Sequence, residues 1–160
     1  MQRRAGFVLI ELLVVFAMVA TLLGLGYVRA TSIERRAPLT ATVNTLVADT
    51  RAQQTKAMSG YTQGSGSAGS YGVYFQTNQY VLFKGSSFNA ADPSNAAFPL
   101  PTNIIFSAIA VPASSIVYAQ GSGDVAGFSP SAHAVTVTQG LTGESKTITI
   151  NRYGAVTLVE

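Results

Sequence analysis

The side chains in this chain that could act in catalysis or bind a metal are those of its histidine and its carboxylates. His133 is the single histidine and there is no cysteine, so a site with several imidazole or thiolate ligands is excluded within one chain. A Ser-His-Asp triad would have to combine His133 with Asp92 or Asp124, and nothing in the sequence places them together. Asp92, Asp124 and Glu144 also lack the spacing of a calcium-binding loop. We therefore expect solvated charges and a surface-loop histidine, with no catalytic residue, metal or cofactor.

A glycine motif stands at residues 64–69, which read Gly-Ser-Gly-Ser-Ala-Gly and match G-x-G-x-x-G. In dinucleotide-binding proteins this spacing lets the backbone approach a pyrophosphate, and it requires a strand before the motif and a helix after it. Here a helical pattern precedes the motif and a strand pattern follows it, so the order is reversed. The sequence instead predicts a flexible loop over residues 59–70.

Basic residues of the C-terminal part offer a possible contact with DNA through Lys84, Lys146 and Arg152. Three dispersed cations give a weak, salt-sensitive contact, because affinity for phosphates depends on how many charges act together. The net charge is +3, but two of the arginines lie within the first four residues. Scattered solvated charges are therefore the preferred interpretation, and DNA binding remains an alternative.

The longest apolar stretch lies near the N-terminus, at residues 7–28, and contains Glu11 as its only charged residue. As an α-helix it would extend about 33 Å, which matches the hydrocarbon core of a bilayer at about 30 Å. A secretory signal peptide is the competing interpretation. Its apolar region is shorter, about 7–15 residues, and ends at a small-residue cleavage site that is not evident here. We therefore predict a retained transmembrane helix.

Glu11 is unusual in such a helix, because a carboxylate near the centre costs about 2.5–3.5 kcal/mol, and less near an end. A membrane carboxylate usually has a partner, yet the next basic residue, Arg29, would lie about 27 Å further along the helix. The partner must then come from another chain or from a new N-terminus. A tolerated glutamate at the membrane interface is the alternative.

The N-terminal residues also form a recognisable pattern: a basic leader, Gly6, Phe7, an apolar run, and Glu11 as the fifth residue after the glycine. This pattern, over residues 3–25, resembles the type IV prepilin motif, with Val8 where threonine is commoner. The resemblance implies that a prepilin peptidase cleaves after Gly6 and that Phe7 is then N-methylated. It also implies that Glu11 pairs with the Phe7 amine of a neighbouring subunit and sets the axial register of assembly.

The helical pattern continues beyond the apolar stretch to about residue 59, with apolar and charged residues on opposite sides. Gly24 and Gly26 each weaken a helix by about 1 kcal/mol relative to alanine, and Pro38 removes a backbone hydrogen bond. We therefore expect the helix to bend or loosen at two places. The predicted apolar side comprises Leu39, Val43, Leu46, Val47, Ala57 and Met58. The predicted solvent-facing side comprises Arg35, Arg36, Asp49, Arg51 and Lys56.

Beyond residue 70 the pattern changes to short strands, and the alternation predicts one mostly antiparallel sheet covered on one face by residues 39–58. Residues 84–103, which hold three prolines, are predicted to be a long loop. The predicted strands are residues 71–75, 79–83, 104–111, 115–118, 134–138, 146–150 and 155–159.

The predicted fold class is α+β, and a long N-terminal helix on an antiparallel sheet resembles the pilin fold. This implies a leader at 1–6, a transmembrane and assembly helix at 7–28, an amphipathic helix at 29–59 and a β-domain at 60–160. The strand spacing over most of residues 30–158 is similar to the pseudopilin H and fimbrial-T group of minor pilins.

The resemblance implies a structural subunit, a minor pilin or pseudopilin, of a type IV pilus or type II secretion pseudopilus. Its implied location is the inner membrane, as a single-pass protein with an extracytoplasmic C-terminal domain, and then the filament. Implied partners are other pilin or pseudopilin subunits, the prepilin peptidase/methyltransferase, the inner-membrane assembly platform and membrane lipid. A major pilin, or a DNA-binding minor pilin acting in competence, is the alternative. For the latter, Arg152 stands alone where DNA-binding members carry a basic glycine-arginine motif.

Overall fold

The computed structural model describes residues 5–62, 64 and 66–159, and the side chains of residues 5–9, 24–37 and 158 lie outside this description. Contacts divide the chain into two units, Met1–Ala37 and Pro38–Glu160. Helix α1 is assigned to Ala5–Met58. The strands are β1 (Tyr71–Gln76), β2 (Gln79–Lys84), β3 (Ala96–Pro99), β4 (Ile104–Ala110), β5 (Ser115–Tyr118), β6 (Ala134–Gln139), β7 (Ser145–Ile150) and β8 (Val156–Val159).

The strands form two four-stranded antiparallel sheets, with orders β3-β2-β1-β5 and β4-β6-β7-β8. The α+β class and the antiparallel arrangement are confirmed, whereas the prediction of one sheet is wrong. β4 pairs with β6 and joins no strand of the first sheet. The rings of Phe75 and Phe106 meet edge-on with centroids 5.3 Å apart, so the two sheets share one core through facing side chains.

Between Pro38 and Met58, α1 buries one narrow face in this core. Three of the buried residues are polar, and Thr50 satisfies its hydroxyl by donating to the Leu46 carbonyl at 2.7 Å. Met58 was predicted on this face but is 54% exposed, because it lies about 100° around the helix from buried Ala57. Most of the buried residues recur three or four positions apart; they are Leu39, Thr42, Val43, Leu46, Thr50, Gln53 and Ala57.

The predicted solvent-facing side of α1 needs two corrections, the first of which is that Lys56 is half-buried. Arg51 is exposed as predicted, but Asp49 is half-buried and accepts a hydrogen bond from the Tyr80 hydroxyl at 2.5 Å. Burial, together with this carboxylate, raises the pKa of Tyr80. Arg35 and Arg36, which were also predicted to face solvent, have side chains outside the described residues. Asp49 therefore links the helix to β2 instead of facing solvent.

Strand β3 lies inside the segment predicted to be a long loop, so that prediction is wrong for Ala96–Pro99. The strand pairs with β2, from Leu82 opposite Ala96 to Gln79 opposite Pro99. All four of its residues are exposed, as expected for a strand at the edge of a sheet. Proline disfavours a central strand because it cannot donate to the ladder, but an edge tolerates it.

Tyr118 in β5 is fully buried, and its hydroxyl has no hydrogen-bond partner among the described residues. Burial raises the pKa of Tyr118, and burial is also the main cause of the raised pKa values of Tyr80 and Tyr71. A tyrosine with a higher pKa in the folded state keeps its proton longer than in the unfolded state. Its contribution to stability is therefore fully present below about pH 10 and is lost as the pH rises further.

Tyr118→Phe is expected to leave the free energy of unfolding at pH 7 unchanged or to raise it by about 1 kcal/mol, because it removes a buried polar atom without a partner. Above pH 10 the variant should lose stability less steeply than the wild type, by up to about 1.4 kcal/mol per pH unit. Denaturant titrations at pH 7 and between pH 9 and 11 measure both effects. Tyr80→Phe is the control, and it should cost about 1–3 kcal/mol at pH 7 because Asp49 loses its donor. Equal losses from both substitutions at pH 7 would contradict the expectation.

Candidate assembly site

Residues 10–23 of α1, in the first unit, carry an almost continuous apolar surface. Their large apolar side chains are between 46% and 70% exposed. Thr21 adds little polarity, because its hydroxyl lies 3.1 Å from the Ala17 carbonyl oxygen and 2.8 Å from that of Met18. An exposed apolar surface of this extent is typical of a contact with protein or lipid. The exposed residues are Ile10, Leu12, Leu13, Val14, Val15, Phe16, Met18, Val19, Leu22 and Leu23.

Glu11 is exposed within this surface and is its only charged residue. No basic residue occurs between positions 10 and 23, so this segment offers the carboxylate no cation of its own. Only the helical backbone is described at the predicted cleavage and methylation positions, Gly6 and Phe7, and at the predicted flexible positions, Gly24 and Gly26. Their roles stay predictions.

Within the part of the chain that the structure describes, no helix combines the length and apolar character needed to cross a membrane. The predicted span, residues 7–28, includes positions at both ends whose side chains lie outside that part.

Pro38 lies inside α1 and opens the second unit. As a proline it cannot donate a hydrogen bond to the preceding turn of the helix. Its own carbonyl accepts a hydrogen bond from the Thr42 hydroxyl at 2.8 Å. The unit boundary therefore coincides with the residue at which the helical hydrogen-bond ladder is interrupted.

The basic residues considered for DNA binding lie on three separate elements. Lys84 ends β2, and its ammonium group donates to the carbonyls of Thr62 at 2.8 Å and Ser67 at 2.7 Å. Lys146 lies in β7 of the other sheet. Arg152 lies in the turn before β8, where its guanidinium is 5.2 Å from the centre of the neighbouring tyrosine ring. Lys84 thus holds the glycine-rich loop, and the fold distributes the three cations instead of gathering them on one element.

The histidine and carboxylates named above have local structural contacts. His133 is half-buried, with its ring centroid 5.8 Å from that of Phe128, so the predicted surface position is only partly correct. Its Nδ1 has no hydrogen-bond partner in the described part, so no carboxylate orients the ring through that atom. Asp92 accepts hydrogen bonds from the Ser94 hydroxyl and backbone N–H at 2.7 and 2.8 Å, which hold the pKa of Asp92 below its usual value. Among the residues described, no three His, Asp or Glu side chains are grouped to hold a metal.

Gln54 connects α1 to two C-terminal loops. Its amide nitrogen donates to the carbonyl of Gly123 at 3.0 Å and to that of Tyr153 at 2.7 Å. Nearby, the N–H of Gly121 donates to the Ala57 carbonyl at 2.9 Å, which satisfies one of the acceptors left open at a helix C-terminus. These partners are distant in sequence, so no local pattern indicates them.

Comparison with known proteins returned no match to any family model, curated protein or solved structure. Function is therefore inferred from the residues of this chain. The relevant features are the exposed apolar segment at residues 10–23, its lone carboxylate at Glu11, and a second unit in which the same helix packs into a two-sheet core.

Proposed function

We propose that this protein is a type IV pilin-like structural subunit, a minor pilin or pseudopilin, of a type IV pilus or type II secretion pseudopilus. The observation that carries the proposal is the exposed apolar surface of residues 10–23 with Glu11 as its single charge. It directly follows the prepilin-like pattern of Gly6 and Phe7. The second unit, with a helix packed on antiparallel sheets, supports a pilin fold as part of the same proposal.

Assembly would proceed by packing the apolar helix segments of many copies side by side. In the inner membrane, lipid covers the segment, and helices associate through close packing of side chains. Outside the membrane, the same surface must remain covered, since each large apolar side chain taken from water contributes about 1.5–3 kcal/mol. The filament interior would provide this cover.

Glu11 gives this packing a defined register. A carboxylate inside an apolar bundle is stable only when it is paired with a cation. Cleavage after Gly6 creates an α-amino group at Phe7, and residues 10–23 supply no other cation. Each Glu11 would then pair with the Phe7 amine of a neighbouring subunit. The partners in this scheme are other pilin or pseudopilin subunits, the prepilin peptidase/methyltransferase, the inner-membrane assembly platform and lipid.

Mass spectrometry of the protein extracted from membranes tests the proposal. We expect residues 1–6 to be absent and Phe7 to carry one methyl group on its amine. A Gly6→Leu variant is the matched control, because a bulky side chain at the cleavage position should leave the leader attached. An intact Met1 in the wild type, or a cut after residue 20, would overturn the assignment.

A further inference from the structure

The outer face of the first sheet, turned away from the shared core, has an aromatic cluster of its own. The connection between β2 and β3 folds over this face, and the ring of Phe88 stacks on Tyr74 with centroids 4.1 Å apart and planes 6° apart. Phe88 also meets Phe83 edge-on at 5.6 Å. Phe83 lies over Gly72, where an added Cβ would be only 2.5 Å from its ring. Because Gly72 has no side chain, the Phe83 ring can lie close to the backbone there, and the aromatic side chains pack flat on the sheet.

Hydrogen bonds within the β2–β3 connection hold Phe88 in place. The carbonyl of Asn89 accepts from the N–H of Asp92 at 3.2 Å and from the side-chain amide of Asn95 at 2.8 Å. Asp92 in turn accepts two hydrogen bonds from Ser94. The aromatic surface is thus formed before any ligand arrives, which reduces the entropy lost on binding.

A groove of about 420 Å³ opens beside this cluster, a volume within the range of about 300–1,000 Å³ typical of ligand sites. Aromatic rings form part of it, and the turn before β5 forms the opposite side. Among the residues that the structure describes, no charged side chain lines it, so this lining offers no cation for a phosphate and no anion for a basic ligand. The lining residues that matter here are Tyr74, Ser86, Ser87, Phe88, Ala113 and Val117.

The turn on the far side of the groove has an unusual backbone. Ala113 and Ser114 are consecutive non-glycine residues with φ values of 48° and 53°, in the left-handed region. This conformation is uncommon without glycine, and such strain is concentrated at binding sites and switches. The strain therefore supports a binding role for this side of the groove, independently of the aromatic cluster.

The groove does not accept an added strand, because the adjoining β5 edge is already occupied. The N–H of Ala126 donates to the Val117 carbonyl at 2.8 Å, and Tyr118 pairs with Val125. A peptide that adds to a sheet edge needs those backbone groups to be free. Recognition must therefore come from side chains, and the lining offers the hydroxyls of Tyr74, Ser86 and Ser87.

We propose that this groove binds a neutral saccharide. A sugar ring presents an apolar C–H face, which packs against an aromatic ring, and an edge of hydroxyls, which bind serine and tyrosine hydroxyls. The absence of charge in the lining favours a neutral glycan over nucleic acid or an acidic polysaccharide. The inference does not depend on filament assembly, so failure of either proposal leaves the other standing.

The test measures binding of defined oligosaccharides to the full-length protein in a zwitterionic detergent without a sugar headgroup, because maltoside detergents would compete. Isothermal titration calorimetry and saturation-transfer NMR compare neutral tetrasaccharides of hexose or N-acetylhexosamine with sulfated glycans and a single-stranded DNA oligonucleotide. We expect saturable binding of at least one neutral glycan and none of the anionic probes.

Matched variants locate the binding. Tyr74→Phe and Ser87→Ala each remove one hydroxyl, keep the aromatic stack, and should weaken binding about 3–10-fold. Tyr74→Leu removes the ring and should weaken it more than tenfold. Tyr153→Leu, at an exposed tyrosine in the β7–β8 turn, is the control and should leave binding unchanged.

Circular dichroism confirms that each variant is folded, and the two hydroxyl variants keep the test valid if Tyr74→Leu unfolds. No saturable binding of any neutral glycan would overturn the proposal. Unchanged binding in both Tyr74→Phe and Ser87→Ala would also overturn it, as would a preference for the anionic glycans or DNA.

Discussion

Glu11→Ala is expected to exclude the subunit from filaments while leaving its amount in the membrane unchanged. Removing the carboxylate relieves the cost of a charge in the bilayer, so insertion does not suffer. In the proposed bundle, however, the amine of a neighbouring Phe7 would lose its partner. Breaking a buried ion pair in this way costs about 3–5 kcal/mol, which corresponds to more than about 100-fold less incorporation.

The measurement is the ratio of subunit in sheared filaments to subunit in membranes, determined by immunoblot. Glu11→Gln keeps the size of the side chain and should fail like the alanine variant, because the charge is what matters. Thr21→Val is the control in the same segment, since the Thr21 hydroxyl bonds only to its own helix. Equal incorporation of Glu11→Ala and wild type would rule out the register role.

A double-mutant cycle tests whether the partner is the amine of Phe7. In Gly6→Leu, we expect the leader to be retained, so that Phe7 would have no free amine. If the amine is the partner, adding Glu11→Ala to that variant should cause no further loss of incorporation, because the interaction is already gone. Additive losses would show that Glu11 acts through some other group.

Gly154→Ala is expected to lower the free energy of unfolding by about 2–5 kcal/mol. Gly154 is buried with φ at +78°, a conformation that costs a residue with a Cβ about 1–2 kcal/mol. An added Cβ would also clash with the amide nitrogen of Gln54, and would lie 2.7 Å from the Tyr118 ring and 2.9 Å from the Gly123 carbonyl oxygen. Crowding of this kind costs a further about 1–3 kcal/mol.

Gly143→Ala separates the two contributions. Its φ of +70° is nearly the same, but an added Cβ would meet nothing within 4 Å. This variant should therefore lose only about 1–2 kcal/mol, the cost of the left-handed backbone. Denaturant unfolding of both variants at pH 7 gives the comparison, and the difference between them measures the crowding around Gln54. Equal losses would mean that the loops around Gln54 move aside freely.

Local sequence patterns predicted the helix and most of the strands well, because the spacing of residues along an element depends on the geometry of that element. The strands predicted at 79–83, 115–118 and 146–150 coincide with β2, β5 and β7 to within a residue. The helical pattern predicted an end at residue 59, and α1 ends at Met58. Periodicity did not reveal that the strands separate into two sheets, because the choice of pairing partner depends on long-range packing.

The candidate sites differ in how far apart their residues lie in the sequence. The apolar segment and Glu11 are contiguous in sequence, so they were recognised without a fold. Gln54 was missed because its two partners lie 69 and 99 residues further along the chain. The groove was missed because it combines Tyr74, the β2–β3 connection and the turn before β5. Thr50 and Gln53 were missed in the core because polar residues at helical spacing are usually solvated.

Strand β3 has a consequence for how copies of this chain can associate. It is a fully exposed edge strand of four residues. It ends in Pro99, which has no N–H to donate to a strand of another molecule. Short edges interrupted by proline resist irreversible, amyloid-like stacking between molecules. At this edge of the first sheet, the chain is therefore protected against pairing with the sheet of another molecule.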